Sequence, residues 1–527
     1  MPRRATTHWR PAWAVTILAA LVLAGCTSAH PTAATPPAST SSSSASAPAS
    51  SSSSAAQSTP GPPPSPFGER GVIEGFYGPP WSEAATLDVL SFMGRHDMNT
   101  FVYDPKNDNY SRADWRQPYP AAELGSLGRM AAGAKDAGVR FVYGIDPGMD
   151  ITYSSQADRS ALAAKIAQLR SIGVHAFVLA LDDVPAQLDA ADQAVYPGGY
   201  AQAQVDLANW LWQTERALDP AFSLIMVPTE YHGTTATPYL TELAKLDPAI
   251  GVAWTGPGVV EASITAAQAA AFGAIIGRKP LVWLNWPVND WTTPWSELEG
   301  SGPVQPRDLF LGPVQGLDPQ LGTAVTGVLA NPMLEPHASL IPLASLAAYL
   351  QDPSGNGGQG AWAAEIRRLG GSEAQALETF CMAEQPYPTI NAQGDYARTS
   401  TDPSVDALEQ QVLAAYGSVG ASALRQTAAQ DLADTFKLWQ HTAPELAPSK
   451  LADASLGAEI APWVGVMSRD GQDGLDALAL LAAPTSGTAQ TRLEADIAQL
   501  AAQPVNFGGQ LLPFLRSAQN AARAGGG

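Results

Sequence analysis

A (β/α)8 TIM-type barrel followed by an α-helical domain is the fold that the sequence predicts, and three observations point to it. From Gly71 onward, short β-branched or aromatic runs alternate with longer amphipathic stretches, the pattern of parallel strands joined by helices. Eight such runs can be counted, enough to close a barrel. After about Leu340 the strand signals stop, and Ala-rich and Leu-rich helical patterns run to about Ala522.

In chain order, the first element is an address. Arg3, Arg4 and Arg10 precede the apolar run Ala12 to Leu23, and Leu23, Ala24 and Gly25 lead into Cys26. This is the layout of an export signal over residues 1–25, too short for a comfortable membrane span. The small residues before Cys26 resemble the lipobox of bacterial lipoproteins, which implies that Cys26 is diacylated and becomes the mature N-terminus. The competing reading is an ordinary signal peptide with an incidental cysteine. Residues Thr27 to Pro66 are almost wholly Ser, Ala, Pro and Thr, so they cannot bury a core and read as a tether. A flexible chain of about 40 residues spans on the order of 35 Å. The expectation is therefore a cell-envelope lipoprotein facing the outside: signal 1–25, lipidated Cys26 and linker 26–66, and a membrane as one partner.

The barrel is assigned to residues 67–345. Its strands are read at Gly71 to Glu74, Thr100 to Tyr103, Arg140 to Gly144, Ala176 to Leu181, Ser223 to Val227, Val252 to Trp254, Pro280 to Leu284 and Ala324 to Leu329. Between them, Ser82 to Gly94, Ala121 to Ala137, Asp158 to Ile172, Gln202 to Leu218 and Ser263 to Ile276 carry Ala and Leu at helical spacing. The helical domain is assigned to 346–522, interrupted at Pro353 to Gly360 and Pro484 to Gly487.

Composition excludes several classes. A formal charge of -20 over 527 residues disfavours nucleic acid, whose phosphates need clustered Lys and Arg. Two cysteines, Cys26 and Cys381, cannot build a disulfide framework, and Cys381 reads as an inert buried thiol. The seven histidines show no ligand spacing, so no metal and no cofactor are expected. Oligomeric state is left open.

Working residues of such barrels come from the carboxyl ends of the strands. Polar and Gly-rich clusters fall there: Glu74 to Gly78, Asp104 to Asp108, Gly144 to Gly148, Asp182 with Asp183, Pro228 to Tyr231, Trp254 to Gly258, Trp283 to Pro287 with Asp290, and Asn331 with Pro332. Adjacent aspartates alone are most often solvated loop residues or helix caps. Directly after an apolar strand they repel one another, and one can be pushed towards its protonated form. An acid beside an ionised carboxylate is what glycoside cleavage requires.

The Gly75 run, Tyr103 to Asp108, the Asp182 pair, Val227 to Tyr231, Trp254 to Val260 and Val282 to Asp290 closely resemble, in the same order and with similar spacing, the catalytic domain of the O-GlcNAcase-like glycosidases, glycoside hydrolase family 84. The resemblance covers roughly Phe67 to Ser345. It implies an exo-acting β-N-acetylglucosaminidase using substrate-assisted retention, with GlcNAc-containing glycans or glycoproteins as partners. In that scheme the sugar's acetamide oxygen attacks C1, Asp182 steadies the acetamide, and Asp183 serves as acid and then base. The resemblance further implies Tyr231 and Asn285 as acetamide-side contacts, Thr255 and Trp283 as pocket wall, and Gly75, Lys106, Asp290 and Asn331 as binders of sugar hydroxyls. Asp104 stands where the family commonly has a small apolar residue, and Leu181 where an aromatic often precedes the pair. Two other readings are weighed: an endo-acting hyaluronidase or chitinase, although one chitinase signature, DxxDxDxE, is missing around Asp182, and a surface lipoprotein that binds amino sugars without turnover.

Overall fold

The computed structural model describes residues 64–298, 304–355, 357–385, 389–390, 396–397, 403–417, 422–507 and 511–525. Cys26, the export signal 1–25 and residues 26–63 of the tether lie outside the described residues. Residues 65–527 form one compact unit.

Eight parallel strands close into a barrel in sequence order: β1 (Glu69–Glu74), β2 (Thr100–Tyr103), β3 (Arg140–Ile145), β4 (Ala176–Ala180), β5 (Ser223–Val227), β6 (Gly251–Trp254), β7 (Leu281–Leu284) and β8 (Gly327–Ala330). Register runs in step around the ring, with Phe101 opposite Phe141, Tyr143 opposite Phe177, and Val72 opposite Ala330 where the ring closes. Successive side chains on a strand face opposite ways. Phe101, Phe141, Phe177 and Leu179 accordingly join the layer between strands and helices, while Ile73, Val102, Val142, Val178, Ile225, Leu281 and Leu329 fill the interior.

Helices Glu83–Arg95, Ala121–Asp136, Gln156–Arg170, Tyr200–Leu218 and Ala266–Ile276 run between successive strands. Their starts are set by hydroxyl caps. Ser82, Ser155 and Thr265 accept backbone N–H bonds from Ala85, Asp158 and Gln268, and Thr265 and Gln268 form a reciprocal capping box. Hence the third helix begins at Gln156 rather than Asp158, and the one after β6 at Ala266 rather than Ser263. The eighth strand also begins later than its composition suggests, because Leu321–Thr323 forms a 3-10 turn first. Gly327 then pairs with both Glu69 and Leu281, and a Cβ there would meet the Glu69 carbonyl oxygen at 2.1 Å. β4 formally ends at Ala180, yet Leu181 N–H donates to Val227 O at 2.9 Å and carries the ladder one residue further.

Helix Pro336–Gln351 follows β8 and is buried on nearly all sides. It is sandwiched, because the later helices cover the side that the barrel does not. The Glu459 carboxylate accepts the otherwise orphaned N–H groups of His337 (3.2 Å) and Ala338 (2.9 Å) at its start. Trp463 Nε1 donates to Arg307 O at 3.1 Å and Asn506 Nδ2 to Asp308 Oδ1 at 2.9 Å, so the helix Ala454–Ala482 and the stretch beyond it are stitched to the barrel's upper loops. No described helix is long and apolar enough to cross a membrane.

Candidate active site

Strand alternation delivers the site. Inward positions on β4 are Ala176, Val178 and Ala180, so the next inward residue is Asp182, which is 7% exposed. The same two-residue step leads from Ile73 to Gly75, from Val102 to Asp104 and Lys106, from Val227 to Thr229 and Tyr231, from Ala253 to Thr255, from Leu281 to Trp283 and Asn285, and from Leu329 to Asn331.

Asp183 breaks this rule. Following Asp182, it should face away from the mouth, but its backbone adopts φ +49°, in the left-handed region. Such a conformation costs a non-glycine residue about 1–3 kcal/mol, less for Asp than for most. The turn brings its carboxyl back between two phenols: Tyr77 OH donates to Oδ2 at 3.0 Å and Tyr231 OH to Oδ1 at 3.1 Å. Burial, and then the adjacent Asp182 charge, raise the Asp183 pKa, while Lys106 and the two phenols pull the other way. Two neighbouring carboxyls are thus placed in unlike settings, Asp183 between two phenols and Asp182 against an ammonium.

Asp182 is held by Lys106, whose Nζ lies 3.0 Å from its Oδ2. The same ammonium lies 3.2 Å from Asp104 and 3.6 Å from Asp146, and 5.5 Å from the Trp283 ring centroid. Burial works against its charge, but Asp104, Asp182 and Asp146 together hold its pKa well above the ordinary lysine value. Asp104 is itself pushed up to about 7 by burial, with Lys106 opposing. Its Oδ1 has no hydrogen-bond partner and lies over Gly144, where a Cβ would come within 2.0 Å of it.

On the opposite side, Trp283 Nε1 donates to Asn285 Oδ1 at 2.8 Å, and the Asn331 amide reaches the same oxygen at 3.1 Å. Asn285 Nδ2 donates to Val259 O at 2.9 Å. Asn331 Oδ1 accepts Gly75 N–H at 3.3 Å, and Gly75 lies flat against Trp283, where a Cβ would meet Cζ2 at 2.2 Å. Asp290 accepts the N–H groups of Tyr77 (2.7 Å) and Trp291 (2.6 Å), and burial lifts its pKa to about 6. Thr255 N–H donates to Tyr231 O at 2.9 Å, and its hydroxyl to Gly258 O at 2.8 Å.

All ten residues singled out in the sequence as catalytic or sugar-binding therefore fall in one connected cluster at one end of the barrel, while the lipidation candidate Cys26 lies outside the described residues. Three further members were not singled out. Tyr77 and Asp146 stand at strand ends but carried no assigned role, and Arg112 lies in a loop with no periodic signal. Its Nε is 3.2 Å from Asp146 Oδ2 and its Nη2 donates to Tyr77 OH at 3.3 Å. Among the described residues, no group of three or more His, Cys, Asp or Glu side chains is arranged to hold a metal ion.

The pattern of the NAGidase family, beta-N-acetylglucosaminidase, matches residues 70–382. The chain belongs to this family. As a β-N-acetylglucosaminidase-family member it is a glycoside hydrolase, and the matched span holds the whole cluster and continues into the first helices beyond β8. The protein O-GlcNAcases of Rattus norvegicus and Mus musculus are each 34% identical to it over 286 residues, 53% of this chain and 29% of theirs. The chain thus spans less than a third of the length of these curated relatives. Among solved structures, a mutant Thermobaculum terrenum O-GlcNAc hydrolase superposes with a TM-score of 0.76 at 28% identity, covering 88% of this chain and 97% of that one.

Proposed function

We propose that the protein is a retaining exo-β-N-acetylglucosaminidase that removes terminal β-linked GlcNAc from glycoconjugates, O-GlcNAc peptides among them, through an oxazoline intermediate. The observation that carries the reading is the unequal aspartate pair, with Asp183 clasped by Tyr77 and Tyr231 and Asp182 ion-paired to Lys106. In the first step the sugar's acetamide oxygen attacks C1 as the glycosidic C1–O bond breaks. Asp183 gives its proton to the departing oxygen, and Asp182 accepts the acetamide N–H and balances the charge that develops on the ring formed. In the second step Asp183 takes a proton from water, which attacks C1 from the face the leaving group vacated and reopens the oxazoline. Two inversions retain the β configuration. The two phenols keep the Asp183 carboxyl oriented through both proton transfers.

The remaining residues supply a polyol site of donors and acceptors against an aromatic face. Tyr231 and Asn285 serve the acetamide side and Thr255 and Trp283 the wall, while Gly75, Lys106, Asp290 and Asn331 serve the hydroxyls. No cofactor enters this scheme. The chain is further proposed to be exported and anchored outside the cell membrane through lipid on Cys26, for which the Arg-rich, apolar and small-residue run before that cysteine is the support. The deciding experiment is hydrolysis of a β-GlcNAc aryl glycoside by the protein from Phe67 onward, with EDTA present and the first-formed anomer read by NMR. Release of β-GlcNAc supports the proposal. An α-anomer product, dependence on metal, or no release by a folded protein overturns it.

A further inference from the structure

Three loops of the barrel mouth, those after β1, β2 and β3, meet at a single guanidinium. Arg112 sits on the loop after β2, where its backbone N–H donates to Asp108 O at 3.2 Å, and the neighbouring Ser111 carbonyl accepts Asp146 N–H from the end of β3 at 2.9 Å. Asp108 is in turn fixed by the hydroxyls of Tyr103 (2.9 Å) and Tyr119 (2.5 Å). The base of the Arg112 side chain is thus rigidly mounted, and its planar fork reaches in two directions.

One arm leads to Asp183. Arg112 Nη2 donates to Tyr77 OH, and the guanidinium also lies 5.1 Å from the Tyr77 ring centroid. A phenol has one hydrogen to give. With its oxygen already accepting from Arg112, that hydrogen is directed to Asp183 Oδ2 at 3.0 Å. The other arm leads to Asp182. Asp146 is 1% exposed, and neither carboxylate oxygen has a hydrogen-bond partner; it is held by charge, between Arg112 at 3.2 Å and Lys106 at 3.6 Å. By satisfying Asp146, Arg112 leaves Lys106 free to stay on Asp182 at 3.0 Å. Without the guanidinium, a buried and uncompensated Asp146 would draw the ammonium away.

We propose that Arg112 is a positioning residue that governs both carboxylates of the pair together, Asp183 through Tyr77 and Asp182 through Asp146 and Lys106. The inference rests on the glycosidase reading above. A lysine cannot replace it, because one ammonium on a flexible stem lacks the fork that joins Tyr77 to Asp146.

The test is a kinetic cycle of wild type, Arg112→Met, Tyr77→Phe and the double variant, each on β-GlcNAc aryl glycosides with a good and a poor leaving group, with Tm recorded alongside. Arg112→Met is expected to lower kcat by about ten-fold or more on the poor leaving group, where Asp183 must protonate the oxygen, and by less on the good one. In the Tyr77→Phe background the leaving-group-sensitive part of that loss should disappear. Arg112→Lys should recover Tm but not kcat, and it takes the place of Arg112→Met in the cycle if the latter does not fold. An equal loss on both leaving groups, full additivity with Tyr77→Phe, or restoration of kcat by lysine would overturn the proposal. A wild-type protein inactive on both glycosides would instead overturn the glycosidase reading, so the two failures are distinct.

Discussion

Along β4 the inward side chains run Ala176, Val178, Ala180 and then Asp182, and the neighbouring strands change in the same way, from Val102 to Asp104 and Lys106 and from Leu281 to Trp283 and Asn285. The middle of the barrel is filled with small and branched apolar groups in an unstrained lattice. One layer above, with the same strands and the same alternation, lie carboxylate oxygens lacking hydrogen-bond partners on Asp104 and Asp146, a left-handed aspartate, and a buried lysine among three acids. The lower layer spends its packing on stability and can thereby support an upper layer that does not. Substitutions in the two layers should then fail in opposite ways.

The largest effect is expected at the mouth. Asp183→Asn should lower kcat/KM on a poor-leaving-group β-GlcNAc glycoside by about 10²–10⁴, while Tm stays level or rises, since asparagine tolerates positive φ and brings no buried charge. The sign of the pH dependence follows from the raised Asp183 pKa. The group must carry its proton to act as acid, so the wild-type rate should fall as pH rises through that raised value, and the variant should lack this alkaline limb. A marked drop in Tm would blur the contrast between layers.

In the middle layer the reverse is expected. Leu281→Ala removes a side chain that is 3% exposed and should cost about 2–5 kcal/mol of unfolding free energy, read by chemical denaturation, with kcat of the folded fraction unchanged. Loss of kcat without loss of stability would show that the interior is not merely support.

The smallest effect lies where barrel and helical region join. Glu335 is buried, accepts Asn289 Nδ2 at 2.8 Å, and is pushed up to about 8 by burial. A carboxyl whose folded pKa is raised contributes its full stability below the unfolded value and loses it as pH climbs towards 8. Glu335→Gln should therefore gain stability relative to wild type as pH rises above 5, by about 2 kcal/mol at pH 6, with little change at pH 4. Parallel pH curves for the two proteins would count against this.

The layering was legible in the sequence because each strand is a short apolar run, and the two-residue period carries on past its end to the next inward side chain. Gly75, Asp182, Thr255, Asn285 and Asn331 all lie on that continuation, although of these only Asp182 was marked by its place after a strand and the others by the resemblance to the family 84 glycosidases. Helix starts were misjudged by a few residues because Ser155 and Thr265 act as caps in extended conformation, a choice that hydroxyl chemistry makes and apolar spacing does not reveal. Arg112 was invisible for a deeper reason. Its importance comes from the loops after β1, β2 and β3 converging on one point, and nothing within its own stretch of chain encodes that meeting. Tyr77 and Asp146 lie between these cases: present at strand ends, but without a partner until the barrel closes.

Asp104 and Gly144 deserve to be considered as one unit. The carboxylate occupies the volume where a Cβ on the neighbouring strand would stand, at 2.0 Å from Oδ1. A Cβ there would also come within 2.6 Å of the Asp104 Cβ, so the glycine is required by any side chain at 104 and not by the acid alone. The empty space on β3 is the condition under which the neighbouring strand can carry a side chain at that level at all.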